Sequence, residues 1–407
     1  ALQEDPLPDG YIPEIPDPAR YAPGSPPAPH PEALRTLAEA IRQARFPVII
    51  ADHVGRSEEG FHALAALSER WAIAVLDRGG RLNLPTTHPM NLTGDKRAVL
   101  ARADLVLGLD VRDLFGDLSS IDRVRRTTRP LIADTTRVFA IGVQDYGVRS
   151  WTSDFQRLMA TEQSLLADTR VALPQLLEVL GPPPAAIDAR RREIASWHQR
   201  LRTEWREAAE RAAGERPIAL STLALALEES LGSRPFVLAN GNLEDWTHRI
   251  LALTQPRQYL GESGGGGLGY GIGAAIGAAL AWRNTDTVVV DIQSDGDLMF
   301  TPGGLWTLAH HRLPVLVVMF NNRSYYNSEE HQLNMARHRE RDAGRAGIGT
   351  QIVDPPIDYA RLAESMGVVG IGPVERSEDL PAALARGIET VTQERRPVLI
   401  DVITQAR

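Results

Sequence analysis

The chain has 407 residues, a formal net charge of −8, 43% hydrophobic and 24% charged residues. That length implies two domains plus linkers, and the charge balance is ordinary for a globular protein and argues against nucleic acid as a partner. There is no Cys, which excludes disulfides, thiolate nucleophiles and cysteine-based zinc sites and agrees with a cytoplasmic location; no apolar run reaches transmembrane length and no signal peptide is visible, so no membrane contact is expected.

Residues 1–31 hold ten of the 28 prolines and almost no periodic apolar pattern. They read as an extended, polyproline-like linker. A linker opening a chain that lacks an initial Met leads to the expectation of an upstream domain, on another polypeptide or removed. A disordered tail is the alternative.

Residues 32–180 alternate helix and strand. Helical periodicity covers 32–45 and 58–71, and strand-like runs cover 46–51, 73–76, 103–109 and 130–134. The alternation predicts a doubly wound, Rossmann-like α/β domain. No G-x-G-x-x-G follows the first strand; Val54-Gly55-Arg56-Ser57 stands there. Gly181 and three prolines mark a boundary. Residues 187–213, rich in Arg, Glu and Ala, predict a long connecting helix with a solvated, charged face, within a connecting region of 181–214.

A second α/β domain is expected over 215–407. A helix (218–231) and a strand (235–239) lead into Asn240-Gly241-Asn242-Leu243, a turn that suits a diphosphate or is a plain Asx turn. A glycine-dense loop follows, GESGGGGLGYGIG. Its single G-x-G-x-x-G (Gly264, Gly266, Gly269) is a weak dinucleotide signal. Glycines there also let backbone approach a flat ring, and Gly269, Gly273 and Gly277 recur every four residues to permit close helix packing.

Residues 286–326 form one βαβ unit: a β-branched strand (287–292), the turn Gln293-Ser294-Asp295-Gly296-Asp297, a helix (302–311) and a strand (315–320) ending in Asn321-Asn322. Asp295 and Asn322 thus lie just past the carboxyl ends of two parallel strands, the edge where open α/β sheets bind ligands. A carboxylate and an amide oxygen there suit Mg²⁺ completed by ligand phosphates. The competing reading is a helix cap and an ordinary turn. Beyond Tyr326, residues 327–332 are polar and titratable, facing substrate or starting a surface helix. The Arg- and Gly-rich stretch 337–350 reads as a segment that could close over a site. Helices at 359–366 and 380–392 and strands at 368–370 and 397–403 complete the pattern. His310 and His311 read as structural at a helix end. No zinc spacing and no G-x-S-x-G elbow is present.

S-D-G-D followed by N-N, with Asn322 lying 27 residues after Asp295, resembles the thiamine-diphosphate enzyme signature, with Ser294 in place of the usual first Gly. The resemblance, to acetohydroxyacid synthases, 2-oxo-acid decarboxylases and benzoylformate decarboxylase, covers most of the chain. It implies a central domain and a thiamine-diphosphate-binding fold. Asp295, the Asn322 side chain and the Ser324 carbonyl would bind Mg²⁺. Asn242, Leu243, Gly296 and Asp297 would contact the cofactor. Leu268 would wedge between its two rings, with the Gly266 carbonyl accepting from the 4′-amino group, and the bent cofactor brings that nitrogen to the thiazolium C2. FAD is possible in the central domain of such enzymes, but the sequence lends it no support, and a structural role is the default.

The family also has a pyrimidine-binding domain whose Glu activates the cofactor. No candidate for that Glu is found, so the catalytic residue stays unassigned. A partner domain or subunit, in a homo- or hetero-oligomer, is expected to supply it. The implied reaction breaks or forms a C–C bond next to the carbonyl of a 2-oxo acid or related small molecule, with the cofactor as electron sink. The alternatives are a non-catalytic nucleotide- or diphosphate-binding regulatory subunit and a dinucleotide-dependent dehydrogenase.

Overall fold

A computed structural model of the chain describes residues 6, 8–22, 24–143, 157–241, 243–261 and 267–406. The first α/β unit opens on α1 (Pro31–Gln43), which carries Pro31 in its first turn and buries Leu34, Leu37 and Ile41. There follow β1 (Pro47–Ala51), α2 (Glu58–Trp71), β2 (Ala74–Asp77), α3 (Lys96–Arg102) and β3 (Leu105–Leu109). Next come the short α4 (Leu114–Asp117), a hairpin of β4 (Ser119–Asp122) and β5 (Thr127–Pro130), then β6 (Arg137–Gly142), β7 (Gln163–Leu166) and α5 (Thr169–Leu180). Five strands run parallel in the order β2-β1-β3-β6-β7. Strands β1 and β3 are buried throughout, because α1, α2 and α5 cover one face and α3 the other.

The expected strand at 130–134 is a correction. Pro130 ends the antiparallel β5, and the chain then turns back, with the Leu131 N–H donating to the Leu118 carbonyl at 2.8 Å. The sheet strand starts at Arg137, where Phe139 and Ile141 are buried in the core. The apolar trio 131–133 is too short and too exposed to hold a central position.

The connecting helix α6 (Asp188–Arg211) is docked rather than simply solvated. Arg190 donates to the carbonyls of Ala44, Arg45, Trp71 and Ala72 at 2.8–3.1 Å. It thereby satisfies the open carbonyl ends of α1 and α2 together. Arg191 takes the carbonyls of Glu69 and Arg70.

The second unit comprises α7 (Leu220–Leu231), β8 (Phe236–Asn240), α8 (Trp246–Ile250), α9 (Tyr270–Ala281), β9 (Val288–Ser294), α10 (Asp295–Leu298), α11 (Gly303–His310) and β10 (Val315–Asn321). It continues with α12 (Tyr326–His338), α13 (Tyr359–Ser365), β11 (Val369–Val374), α14 (Leu380–Thr392) and β12 (Val398–Ile403). Its five parallel strands run β11-β12-β10-β9-β8. α7 and α14 pack on one face, α9, α11 and α13 on the other. Both units are therefore doubly wound α/β sheets.

Hydrogen bonds join the units at several places. Arg202 of α6 donates to the carbonyls of Arg249 and Ile250 at the end of α8. Thr86 donates to the Leu251 carbonyl at 2.6 Å and accepts from the Leu253 N–H at 3.0 Å. No helix among the described residues is long and apolar enough to cross a membrane.

Candidate functional site

Strands β9 and β10 pair in parallel register, with Phe320 opposite Ser294. Their tips end level, so Asp295 and the Asn321-Asn322 turn emerge side by side at one sheet edge. Asp295 is fully buried, and among the described residues neither carboxylate oxygen has a hydrogen bond of ordinary geometry. Burial pushes its pKa up to about 6, although the N–H groups of Gly296, Arg323 and Ser324 work in the other direction. A buried carboxylate with two open oxygens is a costly arrangement that a cation relieves. The donor set around it, one carboxylate and neutral oxygens, fits a hard divalent ion such as Mg²⁺.

The two asparagines differ. Asn321 donates to Asp401 on β12 at 2.9 Å and accepts from the Arg323 N–H, so it ties the turn to the sheet. The Asn322 oxygen accepts from the Ser324 N–H at 2.9 Å and retains a second lone pair. The ordinary Asx turn foreseen as an alternative therefore coexists with a free acceptor. Ser324 is buried, and its hydroxyl donates to Glu329, the residue that ties α12 to Gln351. Gly296 lies under the Tyr325 ring, where a Cβ would come within 2.7 Å of ring carbons. That contact accounts for glycine after Asp295.

The glycine loop is described from Gly267 onward; Gly266 lies outside the described residues. Leu268 is 58% exposed, an unusual placement for leucine beside a sheet edge. Gly269 has φ +84° and holds the loop to the β9 turn. Its N–H donates to Asp297 Oδ1 at 2.7 Å, and its carbonyl accepts from the Thr301 hydroxyl at 2.9 Å. The other Asp297 oxygen accepts from Gln293 at 2.6 Å. The close helix packing expected at Gly273 and Gly277 is a correction. Among the described residues nothing lies within 4 Å of a Cβ built at either, so this face of α9 is open.

At the tip of β8, Asn242 lies outside the described residues. The Leu243 side chain points into the core and is 1% exposed, leaving only its main chain for a ligand. Leu243, Glu244 and Asp245 form a run of three left-handed residues, φ 49°, 52° and 70°, a local strain typical of functional turns. Beneath the loop, Asn240 donates to Asp291 at 3.2 Å and to the Ile292 carbonyl. Asp291 is fully buried and pushed up to about 7 by that burial. Sequence reasoning named Asn240 and Gln293 only as members of their turns and gave no role to Asp291 or to Tyr359, whose hydroxyl donates to the Asp295 carbonyl. The signal that could have found two of them was a pair of polar residues at alternate positions, Asp291 and Gln293, inside an otherwise β-branched strand.

The central sheet edge is different in character. Asp52, Asp77 and Asp110 stand at the tips of β1, β2 and β3. Arg56 pairs with Asp110 and Asp168, and Asn83 bonds Asp77. A Cβ at Gly55 would collide with the Leu82 carbonyl, so the 78–84 loop packs directly against the turn after β1.

Residues 239–402 match the family model of the thiamine pyrophosphate enzyme C-terminal TPP binding domain. That stretch is similar to the C-terminal domain of the thiamine-pyrophosphate enzymes. Acetolactate synthase 1, chloroplastic, of Oryza sativa subsp. japonica is 23% identical over 97% of this chain and 57% of its own length. Acetolactate synthase 3, chloroplastic, of Brassica napus is 30% identical over 40% of the chain and 24% of its own length. Among solved structures, benzoylformate decarboxylase from Polynucleobacter necessarius superposes with a TM-score of 0.70 at 17% identity, covering 98% of this chain and 68% of its own. The Rhodococcus jostii RHA1 thiamine diphosphate-dependent 4-hydroxybenzoylformate decarboxylase gives 0.66 at 18%, covering 94% and 66%. The chain spans little more than half the length of the rice synthase, and about a quarter of the rapeseed one is matched.

Proposed function

We propose that this chain holds the diphosphate end of thiamine diphosphate through Mg²⁺, in an enzyme that breaks or forms a C–C bond beside the carbonyl of a 2-oxo acid or a related substrate. The observation that carries the reading is the Asp295 carboxylate, buried at a strand tip with both oxygens open and level with the Asn322 turn. Asp295, the Asn322 side-chain oxygen and the Ser324 carbonyl would hold the ion. Gly296, the main chain of Leu243 and the 240–242 turn would face the diphosphate, and Leu268 with Gly266 would orient the rings. When bound, the cofactor supplies an electron sink for the bond next to the carbonyl. The chain's own part is to bind, orient and exclude water. No side chain here is assigned the activating carboxylate.

That role falls to a pyrimidine-binding domain, whichever polypeptide carries it. Exposed apolar side chains support the assignment. Leu268, Tyr270 and Phe300 are exposed on the segments that border the site, with Leu280 and Trp306 farther along α9 and α11. The open Gly273–Gly277 flank of α9 adjoins them. Patches of this kind mark protein contacts.

Calorimetric titration with Mg²⁺ and thiamine diphosphate tests the binding. The wild type should bind both, and Asp295→Ala should lose Mg²⁺-dependent cofactor binding. Consumption of 2-oxo acids should appear only after the partner domain is added. Binding without turnover in the reconstituted assembly would instead favour a non-catalytic regulatory subunit.

A further inference from the structure

Asp297 stands two residues beyond Asp295, where a side chain could reach toward a bound diphosphate. Its carboxylate is already committed elsewhere. One oxygen accepts the Gly269 N–H at 2.7 Å and the other accepts the Gln293 amide at 2.6 Å. Gln293 is fully buried on β9 and sits under the start of α9, its oxygen filling the space a Gly271 Cβ would need. The opposite side of Gly269 is held by Thr301, and a Cβ on Gly269 would lie within 3.1 Å of Thr301 and Phe300. Phe300 packs edge-on against Tyr325, with ring centroids 5.9 Å apart, and Tyr325 covers Gly296.

The residue directly after Leu268 is therefore gripped on both sides by the segment that contains Asp295. Leucine in a glycine-rich loop would otherwise collapse onto the nearest apolar surface; here it is 58% exposed. A charge-assisted bond to a main-chain N–H is among the stronger single restraints a side chain provides. A second anion facing a diphosphate at the same edge would repel it. Both arguments give the carboxylate a mechanical task.

We propose that Asp297, braced by Gln293, is a positioning residue that presents Leu268 to the cofactor rings and couples the metal-bearing turn to the glycine loop. The proposal rests on the thiamine-diphosphate reading above and sharpens it. Asp297 does not contact the diphosphate or the metal; it sets the loop before the cofactor arrives, so less ordering cost falls on binding.

Hydrogen exchange with mass spectrometry on the full chain without cofactor, paired with titration of thiamine diphosphate at fixed Mg²⁺, tests this. Asp297→Ala should speed exchange in the peptide covering 267–275 while leaving the sheet peptides protected. It should also weaken thiamine diphosphate binding by ~10-fold, the scale of one charge-assisted hydrogen bond, with Mg²⁺ affinity unchanged. Asp297→Asn, which keeps an acceptor for Gly269, should recover most of the protection and affinity. Thr301→Val, at an exposed position outside the core, should move both readouts in the same direction by a smaller amount. Unchanged exchange in Asp297→Ala, or faster exchange with unaltered cofactor affinity, overturns the positioning role while the cofactor reading stands. Failure of the wild type to bind thiamine diphosphate overturns both.

Discussion

The Tyr359 hydroxyl donates to the main-chain carbonyl of Asp295 at 3.3 Å, across the gap between α13 and the tip of β9. Tyr359 is 1% exposed, and burial together with the neighbouring Asp295 and Asp401 carboxylates raises its pKa. The phenol stays neutral and serves as a donor that holds the strand tip at its height. Tyr359→Phe leaves that carbonyl unpaired in a dry setting. The expected cost is ~1 kcal/mol of stability, read by urea unfolding, with a weaker Mg²⁺ affinity in the same variant.

Asp291 gives a pH dependence with a definite sign. Burial, followed by the nearby Asp297 charge, raises its pKa from the ordinary carboxylate range to about 7, while Asn240 opposes the rise. A folded value above the unfolded one means that stability is intact in acid and is lost as the pH climbs from about 4 to 7. Asp291→Asn should therefore match the wild type near pH 4 and exceed it increasingly up to about pH 7, with a constant gap above. Parallel denaturant curves across that range check this. A gap that shrinks with rising pH would contradict it.

Arg190 predicts a stability effect far from the site. Its guanidinium bonds four carbonyls at the ends of α1 and α2. Arg190→Ala should cost ~2–3 kcal/mol, because one charged donor satisfies four largely half-buried carbonyls at once. Arg190→Lys should recover only part of it, since one ammonium cannot span both helix ends. Thermal melting of the two variants measures the difference.

Gly296 predicts a steric effect. A Cβ there would come within 2.7 Å of the Tyr325 ring. Gly296→Ala should lower the melting temperature by the equivalent of ~1–3 kcal/mol of overpacking. Adding Tyr325→Ala should return part of the loss. Equal melting of Gly296→Ala and wild type would show that the ring moves freely.

Sequence alone conveyed the strands that are buried on both faces. The β-branched runs of β9 and β10 and the sequence spacing between Asp295 and Asn322 locate the sheet edge, because continuous apolar strands followed by polar turns have few other readings. What it concealed depends on direction. Arg190 looks like any helical arginine until the helix docks and its guanidinium meets two other helices. Asp291 and Gln293 look like interruptions of a strand until their shared face is known. The 130–134 segment has strand composition, yet Pro130 lacks the N–H a ladder needs and the hairpin claims it first. Leu243 has a ligand's place in the turn, but its left-handed backbone sends the side chain inward.

The anchoring of α6 has a mechanical corollary. Arg190 and Arg191 rivet its start to the first unit, and Arg202 rivets its later turns to α8 of the second. The peptide bonds through the 181–184 link are then redundant for keeping the two halves in company. A single protease nick there should leave fragments that migrate together on a sizing column and separate only in denaturant, the helix behaving as a splint whose grip outlasts the thread.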